Sequence, residues 1–523
     1  MVSKAAVIRR LGVAAVLCCA SACGPKKVAV DPSIAARETL EQADANLRAG
    51  CYDCLAEALK QYESVRKVPA VAEIATRGAT YASALLAMRE RELGTSDSGY
   101  LERARGLAST SSAFQTEVTP LLDIADALPW RGGAGRSNRP ALALAAYQDR
   151  ERRIAELRTT ATRDVFSAYV WLAYACESGA LRTISRADIY TAIPQFADAP
   201  LFAYALAAIC GVGRSAAFVG LATKEPRYKE LAFHQGLEAS GARKLDDAEA
   251  RYREAYAWRT TWPSDTLALA NVLVTGEDFE GALDFYDHTL TLVPMFPDAL
   301  LGKVRTLTYL SKPEDAIRVA DELLAIERYP GDAEYWKAYN ELDLKRFDDA
   351  WRDIEAADKL LVNSDVPKLA GIIAIDRKQL DVARQKLELS RQRNAFDCQA
   401  LYYLHLVYSE LRQWPQAASG AVAAAGCISS AEVGLKAEIE NVRSSEISEA
   451  RKVRIIAARE RQIASGVRMR VNCWYNGAVA NYNLSKREEA KELAQRIVDD
   501  EQLGERAREL LARLDNTTQK GAR

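Results

Sequence analysis

Few side chains in this sequence are placed to do chemistry. Its 523 residues contain three histidines, His234, His288 and His405, too few for more than one histidine-based triad or metal site. All three fall within stretches of helical spacing, where a packed histidine is the simpler reading. The hydrolase pattern GxSxG and the zinc-protease pattern HExxH do not occur. The glycine-rich string GGAGRS at 132–137 lacks the lysine and the preceding strand that a phosphate loop requires, so it reads as a flexible loop. Carboxylate pairs such as Asp348-Asp349 sit beside turns, where a helix N-terminus favours negative charge. Nothing singles out a catalytic acid–base pair. The expectation is a protein with no catalytic residue, no metal and no cofactor.

Cysteine is the other reactive type. The ten lie at 18, 19, 23, 51, 54, 176, 210, 398, 427 and 473. Cys51 and Cys54 form CYDC. A redox pair of that spacing needs a βαβ context, and a zinc site needs a second pair of ligands nearby; the sequence shows neither. Structural disulfides are the better reading if the chain is exported, because oxidising compartments permit them. The candidates are Cys51 with Cys54, Cys398 with Cys427, and Cys176 and Cys210.

Export is what the first residues suggest. Lys4, Arg9 and Arg10 precede a short apolar run, Leu11 to Leu17, and small residues Ala20-Ser21-Ala22 precede Cys23. The run is too short to span a bilayer stably. Residues 1–22 resemble a bacterial lipoprotein signal peptide. That resemblance implies cleavage before Cys23, lipidation of Cys23 with an acyl group such as palmitate, and membrane attachment. Residues 23–35 read as a tether. Gly24 follows the cysteine, which by similarity to enterobacterial lipoproteins implies the outer membrane, facing the periplasm. No later segment is read as membrane-spanning; the apolar stretch near Leu201 to Cys210 is too short.

The elements that would position any site emerge from a repeat. Alanines 248, 282, 316, 350, 383 and 417 follow one another at spacings of 34, 34, 34, 33 and 34. Their contexts agree: KLDDAEARY, DFEGALDFY, KPEDAIRVA, RFDDAWRDI, QLDVARQKL and QWPQAASGA. A further copy, KREEAKELA, surrounds Ala490. Such a period marks hairpins whose apolar faces are buried only against neighbours. A 34-residue two-helix unit resembles the tetratricopeptide repeat, with the alanine at a close approach of the two helices. The resemblance implies an all-α superhelix, a helical-repeat solenoid. Pro313 and Pro415 fall in first turns, where a missing N–H is harmless. Pro294 follows a helix ending near Leu292, and Gly276 sits in a turn where positive φ is useful. Trp474 lands on the family's first-helix tryptophan position. The family's glycine at position eight is present as Gly236 and Gly371, but is Ala270, Val304, Ala338 or His405 elsewhere.

This partitions the chain. Residues 36–126 form an N-terminal helical region with one repeat-like hairpin, 127–140 a loop, and 141–227 degenerate helical repeats. Residues 228–427 form the regular array, 428–470 a charged helical insertion, 471–515 a last unit with an end helix, and 516–523 a disordered tail.

In tetratricopeptide arrays the first helices line a concave groove. Carried over by resemblance, those positions are Leu267, Asn271, Leu301, Arg305, Tyr309, Tyr335, Tyr339, Lys368, Ile372, Tyr402, Leu406, Tyr475 and Tyr482. Tyrosine and arginine recur among them, and both types are enriched in binding hot spots. Several could equally pack against the neighbouring hairpin. The basic-plus-asparagine clamp of some family members is incomplete, since Leu267 stands where a lysine would be. With Lys+Arg 70 against Asp+Glu 71 the net charge is −1, without the basic surplus of a nucleic-acid binder. The implied function is an envelope-anchored, protein-interaction scaffold for assembly, secretion or transport, whose partner is a protein or extended peptide. The competing reading is a lipoprotein that captures a glycan or other small ligand for nutrient uptake, with Trp130 and Trp171 as stacking residues.

Overall fold

A computed structural model describes residues 32–94, 98–110, 112–127, 152, 154–177, 199–208 and 214–521. Cys23 and the leader lie outside the described residues, as do 128–140 with Trp130, Cys210, and the side chain of Cys176. Among the described residues every regular element is a helix. The first, α1 (Pro32–Ala49), starts inside the stretch read as a tether, with a proline in its opening turn, where no N–H is missed.

The N-terminal region contains α1, α2 (Tyr52–Val65), α3 (Ala72–Leu93), α4 (Tyr100–Ala108) and α5 (Ser112–Ala127). Gly50, at φ +72°, makes the tight turn from α1 to α2 that other residues adopt only with strain. Three further helices follow, α6 (Val165–Glu177), α7 (Pro200–Ala208) and α8 (Arg214–Lys224). Trp171 is 1% exposed in the apolar core that α6 shares with α3, so it is a packing residue and is closed to a stacked sugar. This corrects the glycan reading at that position.

The regular array is a run of hairpins. They are α9 (Leu231–Gly241) with α10 (Leu245–Trp258), α11 (Pro263–Thr275) with α12 (Phe279–Leu292), and α13 (Pro297–Tyr309) with α14 (Pro313–Ala325). Next come α15 (Pro330–Asp343) with α16 (Phe347–Asp358), and α17 (Asp365–Asp376) with α18 (Leu380–Arg393). The spaced alanines 248, 282, 316, 350, 383 and 417 are all fully buried where the paired helices touch. Proline opens α11, α13, α14 and α15, and acidic pairs such as Glu314-Asp315 and Asp348-Asp349 occupy first turns.

The turns inside the hairpins repeat as strictly as the alanines. Each has one residue in the left-handed region: Arg243, Glu277, Ser311, Lys345, Lys378, Arg412 and Ser485, at φ between 54° and 62°. Gly276 is not that residue. Its φ is −88°, and Glu277 carries the left-handed conformation instead.

The variable position eight also has a packing explanation. With the alanine counted as position 20, the residue at position 24 of the second helix complements it in size: Gly236 with Tyr252, Ala270 with Tyr286, Val304 with Ala320, and Gly371 with Leu387. A Cβ on Gly236 would lie 2.5 Å from the Tyr252 ring. His405 is the extreme case, fully buried opposite Ala421 and close to Gly420. Burial lowers its pKa to about 4, so it is a neutral core residue. Successive units are also joined by rungs, Lys303 to Asp287 at 2.5 Å and Lys337 to Asp321 at 3.0 Å.

Residues 428–470 are not a separate module. The second helix of the sixth unit, which pairs with α19 (Cys398–Glu410), runs on as α20 (Trp414–Ser444). After a short turn α21 (Glu449–Asn483) runs back and becomes the first helix of the last unit, paired with α22 (Arg487–Gln495). Helix α20 is long and apolar enough to cross a membrane by length and composition alone, but it packs along α21. The end helix α23 (Gly504–Gly521) continues into the stretch read as a disordered tail.

Candidate interaction groove

The groove is built from the first helices, so each of its side chains inherits the 34-residue spacing. Arg305 and Tyr309 lie one turn apart on α13, and Tyr335 and Tyr339 occupy the same relation on α15. Tyr309 is 50% exposed and Tyr339 44%. These residues form a continuous aromatic run. The Phe279 and Tyr309 rings are 5.0 Å apart, Tyr309 and Trp336 6.2 Å, Trp336 and Tyr335 5.3 Å, and Trp336 and Tyr339 5.9 Å. The Arg305 guanidinium sits 5.6 Å from the Trp336 ring centre, within cation–π range. Burial raises the pKa of Tyr335 and Tyr339, so both are neutral phenols at physiological pH and can donate hydrogen bonds.

The remaining groove candidates divide. Asn271 is exposed and accepts from the Tyr286 hydroxyl at 2.7 Å. Lys368 is committed to Asp365 and Asp397, both at 2.9 Å. Burial works against its ammonium, but those bonds outweigh it and hold the pKa above the ordinary lysine value. Tyr402 packs with Ala424, Ile428, Cys473 and Trp474 against the α20–α21 hairpin, so it does not share the open face of Tyr309. Tyr475 is half-buried on α21, and Tyr482, near the end of the same helix, is 38% exposed. Tyr309, Arg305, Tyr335 and Tyr339 are therefore brought together, and Tyr402, Tyr475 and Tyr482 are not part of that cluster. Phe279 and Trp336 were missed. Trp336 directly follows Tyr335, so a second aromatic stripe was visible in the sequence beside the first.

The long hairpin supplies the opposite wall. Its turn reaches back to the beginning of the array. Arg451, 1% exposed, pairs with Asp246 at 2.9 Å and with Glu249, both on α10. The Ser448 backbone N–H donates to Asp246. Arg454 lies 3.4 Å from Asp278, and Arg459 lies 3.1 Å from Glu277. Between this strap and the array is a cleft of 510 Å³, lined by Glu277, Phe279 and Tyr309 on one side and Ala458, Arg461, Gln462 and Ser465 on the other. Arg461 is exposed and has no ion-pair partner among the described residues.

The disulfides lie away from this face. Cys51 and Cys54 are bonded at 1.95 Å, buried at the start of α2. Cys398 and Cys427 are bonded at 1.99 Å. Cys427 lies inside α20, which continues to Ser444 beyond the end expected for the regular array. Cys473 is a free, buried thiol, and burial pushes its pKa up to about 12, which makes it inert.

Seven hairpin turns in one conformation, each followed by a buried alanine at the same step, decide the architecture. The chain folds as an all-α helical-repeat superhelix of tetratricopeptide-like hairpins. No family model and no curated relative matches its sequence. Among solved structures it is similar to PilF of Pseudomonas aeruginosa, at 18% identity over 37% of this chain and 89% of that one, with a TM-score of 0.34. It is also similar to a tetratricopeptide-repeat protein of Parabacteroides merdae, at 14% identity over 55% of this chain and 98% of that one, TM-score 0.34. PilW, described as a widely conserved type IV pilus biogenesis factor, matches at 16% identity over 42% of this chain and 95% of that one, TM-score 0.34.

Proposed function

We propose that this repeat protein is a non-catalytic, envelope-anchored scaffold that holds a protein or an extended peptide against its concave face. The observation that carries the reading is the aromatic run from Phe279 through Tyr309 and Trp336 to Tyr339, exposed at its centre and joined by Arg305, which makes no ion pair among the described residues. Large flat rings with a polar tip lose little entropy on binding, and such residues dominate hot spots. Anchoring rests on the leader and Cys23, with the outer membrane, facing the periplasm, as the compartment that Gly24 favours. Assembly, secretion and transport accessory work all fit such a scaffold.

A photo-reactive amino acid at Tyr309 or Tyr339 in the full chain tests the surface. It should cross-link one or a few envelope proteins, and the products should disappear when Arg305 and Trp336 are replaced by alanine. Cross-links unaffected by those replacements refute the groove. Cys23→Ala should move the protein from the membrane to the soluble fraction; a variant that stays in the membrane refutes the lipid anchor.

A further inference from the structure

The α20–α21 hairpin crosses back to the first two repeats, about which the 34-residue period says nothing. Ion pairs hold it there. Arg451 is clamped between Asp246 and Glu249, Arg454 faces Asp278, and Arg459 bridges Glu277 and its own hairpin's Glu438. Ile455 and Ala458, beyond the turn, are buried, and Ala458 lines the cleft with Val274. Ile428 and Met469 belong to the cluster that joins it to α19, and none of the hydrophobic core clusters among the described residues connects residues 445–465 to the array. The base of the hairpin is therefore held by packing, and the turn around Arg451 and Arg454 by charge.

The docking point is shaped for the arginine. A Cβ on Gly276 would lie 3.2 Å from the Arg451 guanidinium carbon, and at φ −88° the backbone there has no need of glycine. The glycine makes room for the guanidinium. Beside the docked strap the 510 Å³ cleft is lined by Phe279 and Tyr309, and Tyr309 is half exposed.

We propose that the α20–α21 hairpin is a latch over the concave face, held shut by Arg451 and released when an extended polypeptide occupies the cleft. This rests on the reading of that face as the binding surface. Held by ion pairs at its tip, the hairpin swings about the apolar cluster at its base and leaves the repeats intact. Salt acts on the more exposed Arg454 and Arg459 pairs before the buried Arg451 clamp, because screening reaches buried pairs much less than exposed ones.

Spin labels on introduced cysteines at Arg251→Cys and Glu446→Cys in the full chain report the distance between α10 and the strap turn. The unmodified latch should give one short distance at low salt. Arg451→Glu should convert most of the population to a longer one at unchanged helicity, and adding Asp246→Lys and Glu249→Lys should restore the short distance. Asp246→Asn with Glu249→Gln, which removes the partners and leaves Arg451 in place, should also lengthen the distance, which keeps the test valid if Arg451→Glu folds poorly. A short distance that persists in Arg451→Glu and in the Asp246→Asn, Glu249→Gln variant overturns the latch, and so does an opening that the charge swap fails to reverse. Reduced, carboxymethylated lactalbumin serves as the extended probe. It should bind the Arg451→Glu variant severalfold more tightly than the unmodified chain, and Tyr309→Ala should abolish the gain. Equal binding to open and closed forms overturns the gating. Binding to neither form refutes the concave face as the binding surface, while the distances still decide the latch.

Discussion

Asp265 offers a quantitative test of how the array is packed. It lies in the first turn of α11, 1% exposed, and neither carboxylate oxygen has a hydrogen-bond partner among the described residues. Burial raises its pKa from 3.8 to about 8. For a carboxyl, this means the fold prefers the protonated form. Its contribution is fully present below the unfolded pKa, declines as pH rises from 3.8, and is lost by about pH 8. At 1.36 kcal/mol per unit, about 4 kcal/mol of stability is lost between pH 3.8 and pH 7, and about 6 kcal/mol in all above pH 8, where the loss levels off. Asp265→Asn keeps the shape and cannot ionise. The variant should match the parent near pH 4 and melt at a progressively higher temperature than the parent from pH 5 to pH 8, with no further divergence beyond. Calorimetric scans at unit pH steps measure this, and the compared quantity is how the difference changes with pH. A difference that is flat across that range would show that Asp265 is solvated or paired, and would refute the packing argument at the junction of the first two hairpins.

Other perturbations follow from the same contacts. Ala316 is fully buried where α14 meets α13, so Ala316→Leu should overpack the hairpin and cost about 1–3 kcal/mol, read as a lower melting temperature. The Cys398–Cys427 bond closes 29 residues, and reducing it or making Cys398→Ser should cost about 3 kcal/mol, with melting insensitive to reductant in the variant. Burial raises the Glu341 pKa to about 8, with the nearby Asp353 adding to it; Glu341→Gln should therefore gain stability relative to the parent as pH rises from 5 to 8, measured by the same scans.

What the sequence revealed follows from the range of the forces involved. Each hairpin buries its own alanine and turns through its own left-handed residue, so the fold is written locally, once per 34 residues, and was legible. Position eight looked like a departure from pattern at His405 because its compensation lies in the second helix, at Ala421 and Gly420. Gly276 was read as a conformational glycine; its reason is a guanidinium from a residue 175 positions away in the sequence. The groove was half legible. Arg305, Tyr309, Tyr335 and Tyr339 share a face because one helix type carries them, but Tyr402 is covered by the extended hairpin, a contact no periodicity encodes. The strap itself was visible only as a charged run. Its arginines look like a solvated helix face until the acidic partners on α10 and the α11–α12 turn are brought against them.

An open stack of hairpins behaves as a soft spring, since each contact between neighbours yields a little when the ends are drawn apart. Here the strap grips Asp246 from 202 positions further along the sequence, so the intervening coils form a closed hoop. Tension on such a hoop is borne first by the Arg451 clamp. The protein should therefore resist stretching until that clamp gives way in one step, and only then extend with the compliance of an ordinary solenoid.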